Sequence, residues 1–435
     1  MKANALEIVK TLSDAGFKAY WAGGCVRDMI MGLEPEDYDI ATEALPNHVM
    51  RLFNKTIPVG VSFGVIKVLL EKFEFEVATF RSDGKYIDGR HPEKVHFSSE
   101  KEDALRRDFT INGIFYDPLQ KKIIDYVNGQ QDIKNGIIRS INAPRDRFSE
   151  DRLRLIRAVR FAAKFNYDIE AETCQAIKEM SLSILQVSAE RVRDELMKML
   201  MGPRPASSIK LLDKVGLLKV ILPEVTAMKG VKQPEEFHPE GDVWEHTLLM
   251  LKKMLNPGFE LAMGVLLHDV GKPSTFSIED RIRFNNHCDV GVQITEKIGQ
   301  RLRLSRIQID LICDLVRHHL RFKDVQNMSE STLKRFLRLT NFPDHLELHR
   351  LDCIGSHGNL SNWEFCKQKL FELKPQEIKP KPLINGYNLI AMGYKAGPVF
   401  KEILTTVEDA HLEGNIKTHD DAVKFVQDKF PVNKS

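Results

Sequence analysis

The chain has 435 residues, of which 43% are hydrophobic and 29% are charged. At about 150 residues per domain, this length predicts roughly three domains, and the composition excludes wholesale disorder. Lys and Arg total 63 against 61 Asp and Glu, a formal net charge of +2. Contact with a nucleic acid would therefore require local basic patches, because the global charge favours no partner.

The sequence contains no obvious targeting or membrane-spanning segment. The apolar run 261–267 is too short to cross a bilayer, which takes about 20 residues. The N-terminal residues form an amphipathic run, unlike the apolar core of a secretory signal peptide. The six cysteines show no close paired spacing, which favours reduced thiols. We expect a cytoplasmic, soluble protein with no membrane partner.

Residues 1–138 mix helix and strand patterns. A helix ends near Gly16, and β-rich runs follow at 65–70, 73–80 and 123–127. After residue 139, strand patterns fade and apolar residues recur at helical spacing. The sequence predicts an α+β fold: a head with a mixed β-sheet and helices, followed by an all-α neck, body and tail.

Clusters of glycine and proline divide the helical part of the chain, at 202–205, 230–241 and 374–382. Most histidines fall between 231 and 365, which marks a separate chemical unit. We expect four regions. They are a catalytic head at 1–138, a helical neck and body at 139–230, a metal-binding domain at 231–365, and a linker with a helical tail at 366–435.

A glycine pair and a carboxylate pair are the first candidate site in the head. Gly23 and Gly24 follow a short strand and open a helix, where backbone N–H groups can approach a phosphate. Such glycines are more often structural. Asp37 and Asp39 follow, and strand alternation places both carboxylates on one face. This arrangement suits Mg²⁺ bound together with phosphate oxygens, and the alternative is a solvated strand face.

Three further motifs follow in a fixed order. They are residues 106–112, residues 150–154 with Arg157 and Arg160, and residues 190–195. With the glycine and carboxylate pairs, they make the chain resemble the class II tRNA nucleotidyltransferases, which build or repair the 3′-terminal CCA of tRNA. The same family contains bacterial poly(A) polymerases. The resemblance is dense from residue 17 to about residue 200.

This resemblance implies that metals held by Asp37 and Asp39 activate the tRNA 3′-hydroxyl for attack on the α-phosphorus of a nucleotide. It assigns base selection to Asp151 and Arg154. A carboxylate that accepts from an exocyclic amine and a guanidinium that donates to a ring nitrogen match cytosine and adenine, whereas uracil and guanine present the opposite pattern. The alternative is a salt bridge between two residues three apart on a helix.

The remaining nucleotide-binding candidates are Gly24, Arg27, Arg107, Asp108, Arg157 and Arg160. The guanidinium groups offer forked donors to triphosphate oxygens. By the resemblance, Asp108 holds the ribose 2′-hydroxyl, and otherwise it is a local cap. Glu76 is a candidate third carboxylate, and the alternative is an exposed residue of its strand. The polar segment 83–92 resembles the flexible loop of the family, and its presence favours adenosine addition.

The histidine-rich region resembles the HD phosphohydrolase superfamily. An adjacent His and Asp close the apolar helix 261–267 and can converge on one cation. Their imidazole and carboxylate groups are ligands that favour a transition metal such as Mn, Ni, Co, Fe or Zn. The expected ligands are His246, His268, Asp269 and Asp352, with Lys272 near the scissile phosphate. His287 and either His318 or His319 are candidates for a second metal or are ordinary, partly buried histidines.

The sequence therefore predicts an enzyme that adds CMP, CMP and AMP from CTP and ATP to tRNA without a template, releasing pyrophosphate. One alternative is an enzyme that adds only the adenosine and works with a CC-adding paralogue. Another is an HD phosphohydrolase acting on RNA 2′,3′-cyclic or terminal phosphates. Poly(A) polymerase is less favoured, because residues 59–64 lack the arginine-rich segment of that branch. The tail is expected to contact tRNA.

Overall fold

The structure is a computed structural model that describes residues 1–84, 95–234, 236 and 241–431. The chain forms two compact units, residues 1–226 and residues 227–435. The finer division into four regions stays a prediction. Among the described residues, no helix is both long enough and apolar enough to span a membrane.

The first unit contains a seven-stranded mixed sheet. The strands of this unit are β1 (Ala19–Ala22), β2 (Asp39–Thr42), β3 (Thr56–Gly60), β4 (Val65–Leu70), β5 (Phe73–Thr79), β6 (Arg81–Asp83), β7 (Val95–Phe97), β8 (Ile114–Asp117), β9 (Lys122–Asp125), β10 (Ile137–Ile138) and β11 (Asp168–Ile169). The order in the large sheet is β3-β4-β5-β2-β1-β8-β9. Strands β2 and β5 are parallel, and the other neighbours are antiparallel.

Twelve α-helices belong to the described part of the first unit. They are α1 (Lys2–Asp14), α2 (Gly24–Ile30), α3 (Pro46–Leu52), α4 (Glu100–Leu105), α5 (Gly129–Asn135), α6 (Pro144–Glu150), α7 (Leu153–Phe165), α8 (Ala171–Met180), α9 (Ala189–Leu200), α10 (Pro205–Lys214), α11 (Leu217–Ile221) and α12 (Pro223–Thr226). Short 3₁₀ helices cover Val61–Phe63, Thr110–Asn112 and Ser181–Gln186.

The apolar patterns of these elements explain how they pack. Helix α1 buries Ala5, Ile8, Val9 and Leu12, which recur at helical spacing on one face. In β5, buried and exposed positions alternate around Phe75, which is the pattern of a strand with one face on the core. These buried positions pack the large sheet against the helices, and its exposed positions can carry charged groups.

The second unit is mainly helical. Its elements are α13 (Val243–Lys253), α14 (Phe259–Leu267), α15 (Lys272–Thr275), β12 (Phe276–Ile278), β13 (Ile282–Phe284), α16 (His287–Arg301), α17 (Arg306–His318), α18 (Glu330–Leu337), α19 (Phe342–Gly355), α20 (Ser361–Glu372), α21 (Pro375–Ile378), α22 (Gly386–Ala391), α23 (Pro398–Leu412) and α24 (His419–Lys429), with a 3₁₀ helix at His319–Asn327. The tail has its own small core, which includes Leu389, Ile403 and Val426.

The structure differs from the sequence-based expectation at a few points that bear on the site. Asp37 precedes β2 instead of lying in it, and Asp151 precedes α7 with an extended backbone (φ −140°, ψ 105°). Strand β11, which pairs with β10, and the strand pair β12 with β13 interrupt the predicted helical region. The expected flexible loop at 83–92 lies outside the described residues from position 85 onward.

Candidate functional site

A cleft of about 480 Å³ in the first unit contains most of the expected head residues. Its lining is Gly23, Gly24, Arg27, Asp28, Glu36, Asp37, Asp39, Arg106, Arg107, Asp108, Asn112, Asp151, Arg154, Arg157, Phe161 and Lys164. Carboxylates and guanidinium groups dominate this surface. The fold thus brings together residues that are more than 100 positions apart in the sequence.

Two carboxylates of the cleft, those of Asp37 and Asp39, lie just before and at the start of β2. In the parallel register of β2 with β5, Ile40 is opposite Val77, so Asp39 and Glu76 occupy neighbouring positions on one face. Burial, together with the charges of Asp37 and Glu76, raises the pKa of Asp39 to about 6, against an opposing effect of Arg107. Such repulsion is what a divalent cation relieves, so this all-oxygen donor set fits Mg²⁺.

Gly23 allows an arginine to enter the cleft next to these carboxylates. Its φ is +70°, in the left-handed region, and an added Cβ would lie 2.9 Å from Arg107 Nη1. Arg107 is held from behind by Asp103, a buried residue of α4 that also binds Arg106. Burial raises the pKa of Asp103, but the two guanidinium groups outweigh burial and lower it.

A second, largely buried carboxylate, that of Asp108, fixes another arginine. Its Oδ2 accepts hydrogen bonds from Arg157 Nε (3.0 Å) and Nη2 (2.7 Å), and its Oδ1 accepts from Asn112 Nδ2 and the Phe109 amide. Burial raises the pKa of Asp108, whereas Arg157 and Asn112 lower it more strongly. Because four donors already fill the usual acceptor capacity of a carboxylate, a ribose hydroxyl could bind only by displacing one of them.

Asn112 also links this carboxylate to the helix after the glycine pair. Its Oδ1 accepts a 2.7 Å hydrogen bond from Arg27 Nη1, and Arg27 lies over the Phe165 ring at 4.7 Å. Arg27 is 6% exposed and is further held by Asp28. The arginines that line the cleft are therefore preorganised by buried partners.

Asp151 and Arg154 both line the cleft but do not pair with each other. Asp151 accepts from Arg191 Nη2 at 3.0 and 3.2 Å and caps the N-terminus of α7 through the Leu153 amide. Arg154 donates to Glu150 Oε2 at 2.9 Å. The predicted alternative of a helical salt bridge is not formed, because Asp151 lies outside the helix.

Arg154 is only 8% exposed, and backbone carbonyls fix its direction. Its Nη1 donates to the Arg147 carbonyl at 3.0 Å, and its Nη2 donates to the Arg106 carbonyl at 3.2 Å. The sequence assigned no role to Arg147, which binds Glu150 and the Arg107 carbonyl. A second layer of residues thus determines where the two base-selecting candidates point.

Arg160, expected to bind nucleotide, is directed elsewhere. It pairs with the buried Glu195 at 2.5 Å, lies over Phe161 at 4.1 Å, and is not among the residues lining the cleft. Asp103 was not singled out from the sequence, and Arg191 and Glu195 were included in the motif at 190–195 without a role being given to either residue. Asp103 stands at i,i+3 and i,i+4 spacing from its two arginines, a signal that could have identified it.

The second unit contains a separate cluster of expected metal ligands. One ligand atom each of His246, His268 and Asp352 lies within 4.8 Å of the others. The His268 Nδ1 atom donates to the Val265 carbonyl at 2.9 Å, which leaves Nε2 with a lone pair. Two imidazoles and a carboxylate in a buried position fit a divalent transition metal.

Asp269 lies beside this cluster. Its Oδ2 is 3.1 Å from His268 Nε2 and 2.7 Å from Lys272 Nζ. Burial raises the pKa of Asp269, but His268 and Lys272 lower it far more. Lys272 also donates to Gln233 at 2.6 Å, so its ammonium group is engaged by protein partners instead of facing open solvent as a phosphate ligand would.

The structure also separates the two adjacent histidines. His319 Nε2 and His287 Nε2 each lie 3.6 Å from Asp269 Oδ1. His318 instead lies next to the His345 ring, with the centroids 6.0 Å apart. Of the two histidines left open by the sequence, His319 is therefore the one that joins the cluster.

Three family models match the chain. They are the poly A polymerase head domain at residues 19–139, the probable RNA and SrmB-binding site of polymerase A at 166–229, and the HD domain at 243–348. The first covers the sheet and the carboxylates of the cleft, and the third covers three of the four expected ligands in the second unit. Asp352 lies just beyond it.

Individual proteins match over different lengths. A CCA-adding enzyme of Geobacillus sp. (strain WCH70) is 44% identical over 427 residues, 96% of this chain and 95% of that protein. A CCA-adding enzyme of Staphylococcus epidermidis is 43% identical over 212 residues, 48% of this chain and 53% of that protein, so this match spans about half of the relative. The crystal structure of the Bacillus stearothermophilus CCA-adding enzyme in complex with CTP has 27% identity, a TM-score of 0.75, and coverage of 98% of this chain and 97% of that one.

The raised pKa of Asp39 predicts a pH-dependent loss of stability in metal-free protein. The carboxyl group binds its proton more tightly in the folded state, so its stabilising effect is present below about pH 4 and is lost as pH rises through about 6. We expect the free energy of unfolding of wild type, relative to Asp39→Asn, to fall by about 1–2 kcal/mol between pH 4 and pH 7. Denaturant unfolding in a chelator measures this difference. A difference that stays constant or rises with pH would contradict the assignment.

Proposed function

The chain belongs to the family of CCA-adding enzymes, and from this premise we propose that it adds CMP, CMP and AMP to the 3′ end of tRNA. CTP and ATP are the nucleotide substrates, no nucleic-acid template is used, and pyrophosphate is released. The observation that carries the proposal is the single cleft that contains both the carboxylates of Asp37 and Asp39 and the Asp151–Arg154 pair. The carboxylates proposed for catalysis and the hydrogen-bonding groups proposed for base selection therefore face the same cleft.

The cofactor proposed for the head is Mg²⁺, held by Asp37 and Asp39. When bound, this ion neutralises phosphate charge and lowers the pKa of an attacking hydroxyl. The supporting observation is the pKa of Asp39, raised to about 6 by burial and by neighbouring carboxylates. Glu76 adds a third negative charge on the same face of the sheet without lining the cleft.

The arginines of the cleft are proposed to bind the triphosphate. Arg107 and Arg157 keep fixed directions because Asp103 and Asp108 hold them through charged hydrogen bonds. Forked guanidinium donors match phosphate oxygens, and a preorganised donor loses little side-chain entropy on binding. Arg27, which is held by Asn112, provides positive charge at the glycine turn.

Base selection is proposed to depend on an exchange of partners. Asp151 now accepts from Arg191, and Arg154 now donates to Glu150. A cytosine or adenine offers Asp151 an exocyclic amine and offers Arg154 a ring nitrogen acceptor. For these two bases, the contact that each side chain makes to another residue of the chain is replaced by an equivalent contact to the base. Uracil or guanine instead places acceptor against acceptor and donor against donor, which costs about 1–3 kcal/mol of binding free energy for each group left without a hydrogen bond.

The second unit is proposed to bind a transition metal of the Mn, Ni, Co, Fe or Zn class through His246, His268, Asp269 and Asp352. The convergence of three of these residues within 4.8 Å supports this assignment. Asp269 stands beside them, 3.1 Å from His268.

The helical tail is proposed to contact tRNA, and the place of action is proposed to be the cytoplasm, where tRNA is the substrate.

The relatives favour complete CCA addition over the alternatives from the sequence. The Geobacillus protein, which aligns over 95% of its length, is named a CCA-adding enzyme and not an adenosine-specific enzyme or a phosphohydrolase. The cleft agrees with this choice, because Asp151 and Arg154 present a pattern that both cytosine and adenine satisfy.

The proposed function is tested with three otherwise identical tRNA transcripts, ending at the discriminator base, at C and at CC. CTP and ATP are supplied separately and together with Mg²⁺. When both nucleotides are present, we expect each transcript to be extended to a complete CCA end and no further, because base selection resides in the protein. The products are read by length on a denaturing gel. Extension of the CC-ending transcript alone would show adenosine-specific addition, and a long homopolymer would show a poly(A) polymerase.

Asp151→Asn is expected to change nucleotide choice. The amide retains one acceptor but presents an NH₂ group to the base amine, so kcat/KM for CTP and ATP should fall by about 10–100-fold while use of UTP falls much less. Steady-state incorporation with single nucleotides measures these constants. Asp146→Asn, which alters an exposed acid on α6, is the matched control. An equal loss for all four nucleotides would show that Asp151 only supports the local fold.

A further inference from the structure

We propose that Lys164 binds the outer phosphates of the nucleoside triphosphate and the pyrophosphate that leaves after transfer. Lys164 lies in the last turn of α7 and lines the cleft, and the motifs in the sequence assign it no role. The inference rests on the proposed nucleotide transfer and adds to it the residue that recognises the leaving group. CTP and ATP carry the same triphosphate, so one lysine serves both nucleotides.

One face of α7 follows the length of the cleft. Arg154, Arg157, Phe161 and Lys164 line the cleft, and their spacings of three, four and three residues place them on one side of the helix. At a rise of about 1.5 Å per residue, Lys164 lies roughly 15 Å along the helix axis from the base-selecting Arg154. Base, ribose and phosphates follow one another in a nucleotide. Lys164 is therefore at the phosphate end of the cleft.

Arg27 and the glycine turn lie at the same end. The Arg27 guanidinium is 4.7 Å from the centroid of the Phe165 ring, and Lys164 Nζ is 5.3 Å from that centroid. An added Cβ on Gly24 would lie 3.6 Å from Arg27 Nη2, so this guanidinium adjoins the turn. Both cations thus lie where the open backbone of the glycine turn allows a phosphate to approach.

Lys164 differs from the other cations of the cleft because its charge is not paired with an acid. Each arginine that lines the cleft forms an ion pair, with Asp28, Asp103, Glu150 or Asp108. Lys164 is exposed and forms no ion pair within the part of the chain that the structure describes. Its ammonium group can therefore bind an anion without first releasing a protein partner.

The charge balance of the cleft makes this unpaired cation important. Among the described residues, six basic and six acidic side chains line the cleft, so the side chains alone provide no excess of positive charge for a triphosphate. Lys164 provides positive charge that no acidic side chain offsets. An ammonium group on a flexible stem also suits the outer phosphates, because it acts as a point charge and needs no fixed geometry.

The role of Lys164 in the transfer is electrostatic. The tRNA 3′ oxygen forms a bond to the α-phosphorus, and the bond from this phosphorus to the bridging oxygen of the β-phosphate breaks. The electron pair of the broken bond leaves with the pyrophosphate, and the hydroxyl proton is released to water. Lys164 transfers no proton in this step, and its positive charge stabilises the negative charge that develops on the leaving group.

The test is the binding of nucleotides to the full chain without tRNA, measured by isothermal titration calorimetry with Mg²⁺. We expect Lys164→Ala to weaken the binding of CTP and ATP equally, by about 10-fold, because one charged contact to phosphate is lost. The affinity for CMP, which lacks the outer phosphates, should change by less than about twofold. Lys164→Arg retains the charge and should restore most of the affinity for CTP.

Lys134→Ala is the matched control. Lys134 is an exposed lysine in the last turn of α5, and it does not line the cleft. This variant should bind CTP and ATP as wild type does. On the same preparations, added pyrophosphate should inhibit CMP incorporation about 10-fold less strongly in Lys164→Ala than in wild type or in the control.

Several results would overturn the proposal. They are wild-type affinity of Lys164→Ala for CTP, an equal loss for CMP, a loss confined to one of the two nucleotides, and a loss in Lys164→Arg as large as in Lys164→Ala. Circular dichroism confirms that each variant is folded. Incorporation into tRNA by wild type reports separately on the proposed CCA addition. Intact incorporation together with normal CTP binding by Lys164→Ala would therefore remove only the role of this lysine.

Discussion

The repulsion between the carboxylates at the start of β2 is the constraint around which the head is organised. Asp37, Asp39 and Glu76 carry like charges, and burial of Asp39 increases the cost of ionising it, which raises its pKa to about 6. A fold optimised for stability alone would not place them together. The arrangement becomes favourable only when a cation enters, which ties the stability of this region to the chemistry proposed for it.

The arginines of the cleft are held by attraction to neighbouring groups, in contrast to the carboxylates, which repel one another. Most arginines that line the cleft are held from behind by a largely buried acid or amide, as Asp103 holds Arg107 and Asp108 holds Arg157. Buried ion pairs contribute little net stability, but removal of one partner costs about 3–5 kcal/mol. These pairs keep the guanidinium groups in fixed directions, which lowers the entropy lost when a triphosphate binds.

The sequence predicted much of this organisation, and the reasons for its success and failure are physical. Runs such as 65–70 and 73–80 are rich in β-branched and aromatic residues, so β4 and β5 were located to within a residue. The carboxylate pair was found because two acids at a spacing of two are unusual beside a glycine turn. Asp151 was misplaced on a helix, because apolar periodicity continues up to it while its own backbone is extended.

Residues that act through other residues were much harder to predict. Arg191 and Glu195 reach the site from α9 through contacts that span 40 and 35 positions, and only the fold makes these contacts visible. Pair spacing within one helix, as for Asp103, is the one local signal that could have revealed a positioning residue.

The most direct test of the central claim is Mg²⁺-dependent incorporation of CMP by Asp39→Ala, compared with wild type and with Glu74→Gln. Glu74 is an exposed acid on β5, so its change alters charge near the site without touching the cleft. The proposed metal-binding role of Asp39 predicts a loss of about 10³-fold or more for Asp39→Ala, with retained folding by circular dichroism, and little change for Glu74→Gln. Activity of folded Asp39→Ala near that of wild type would contradict it.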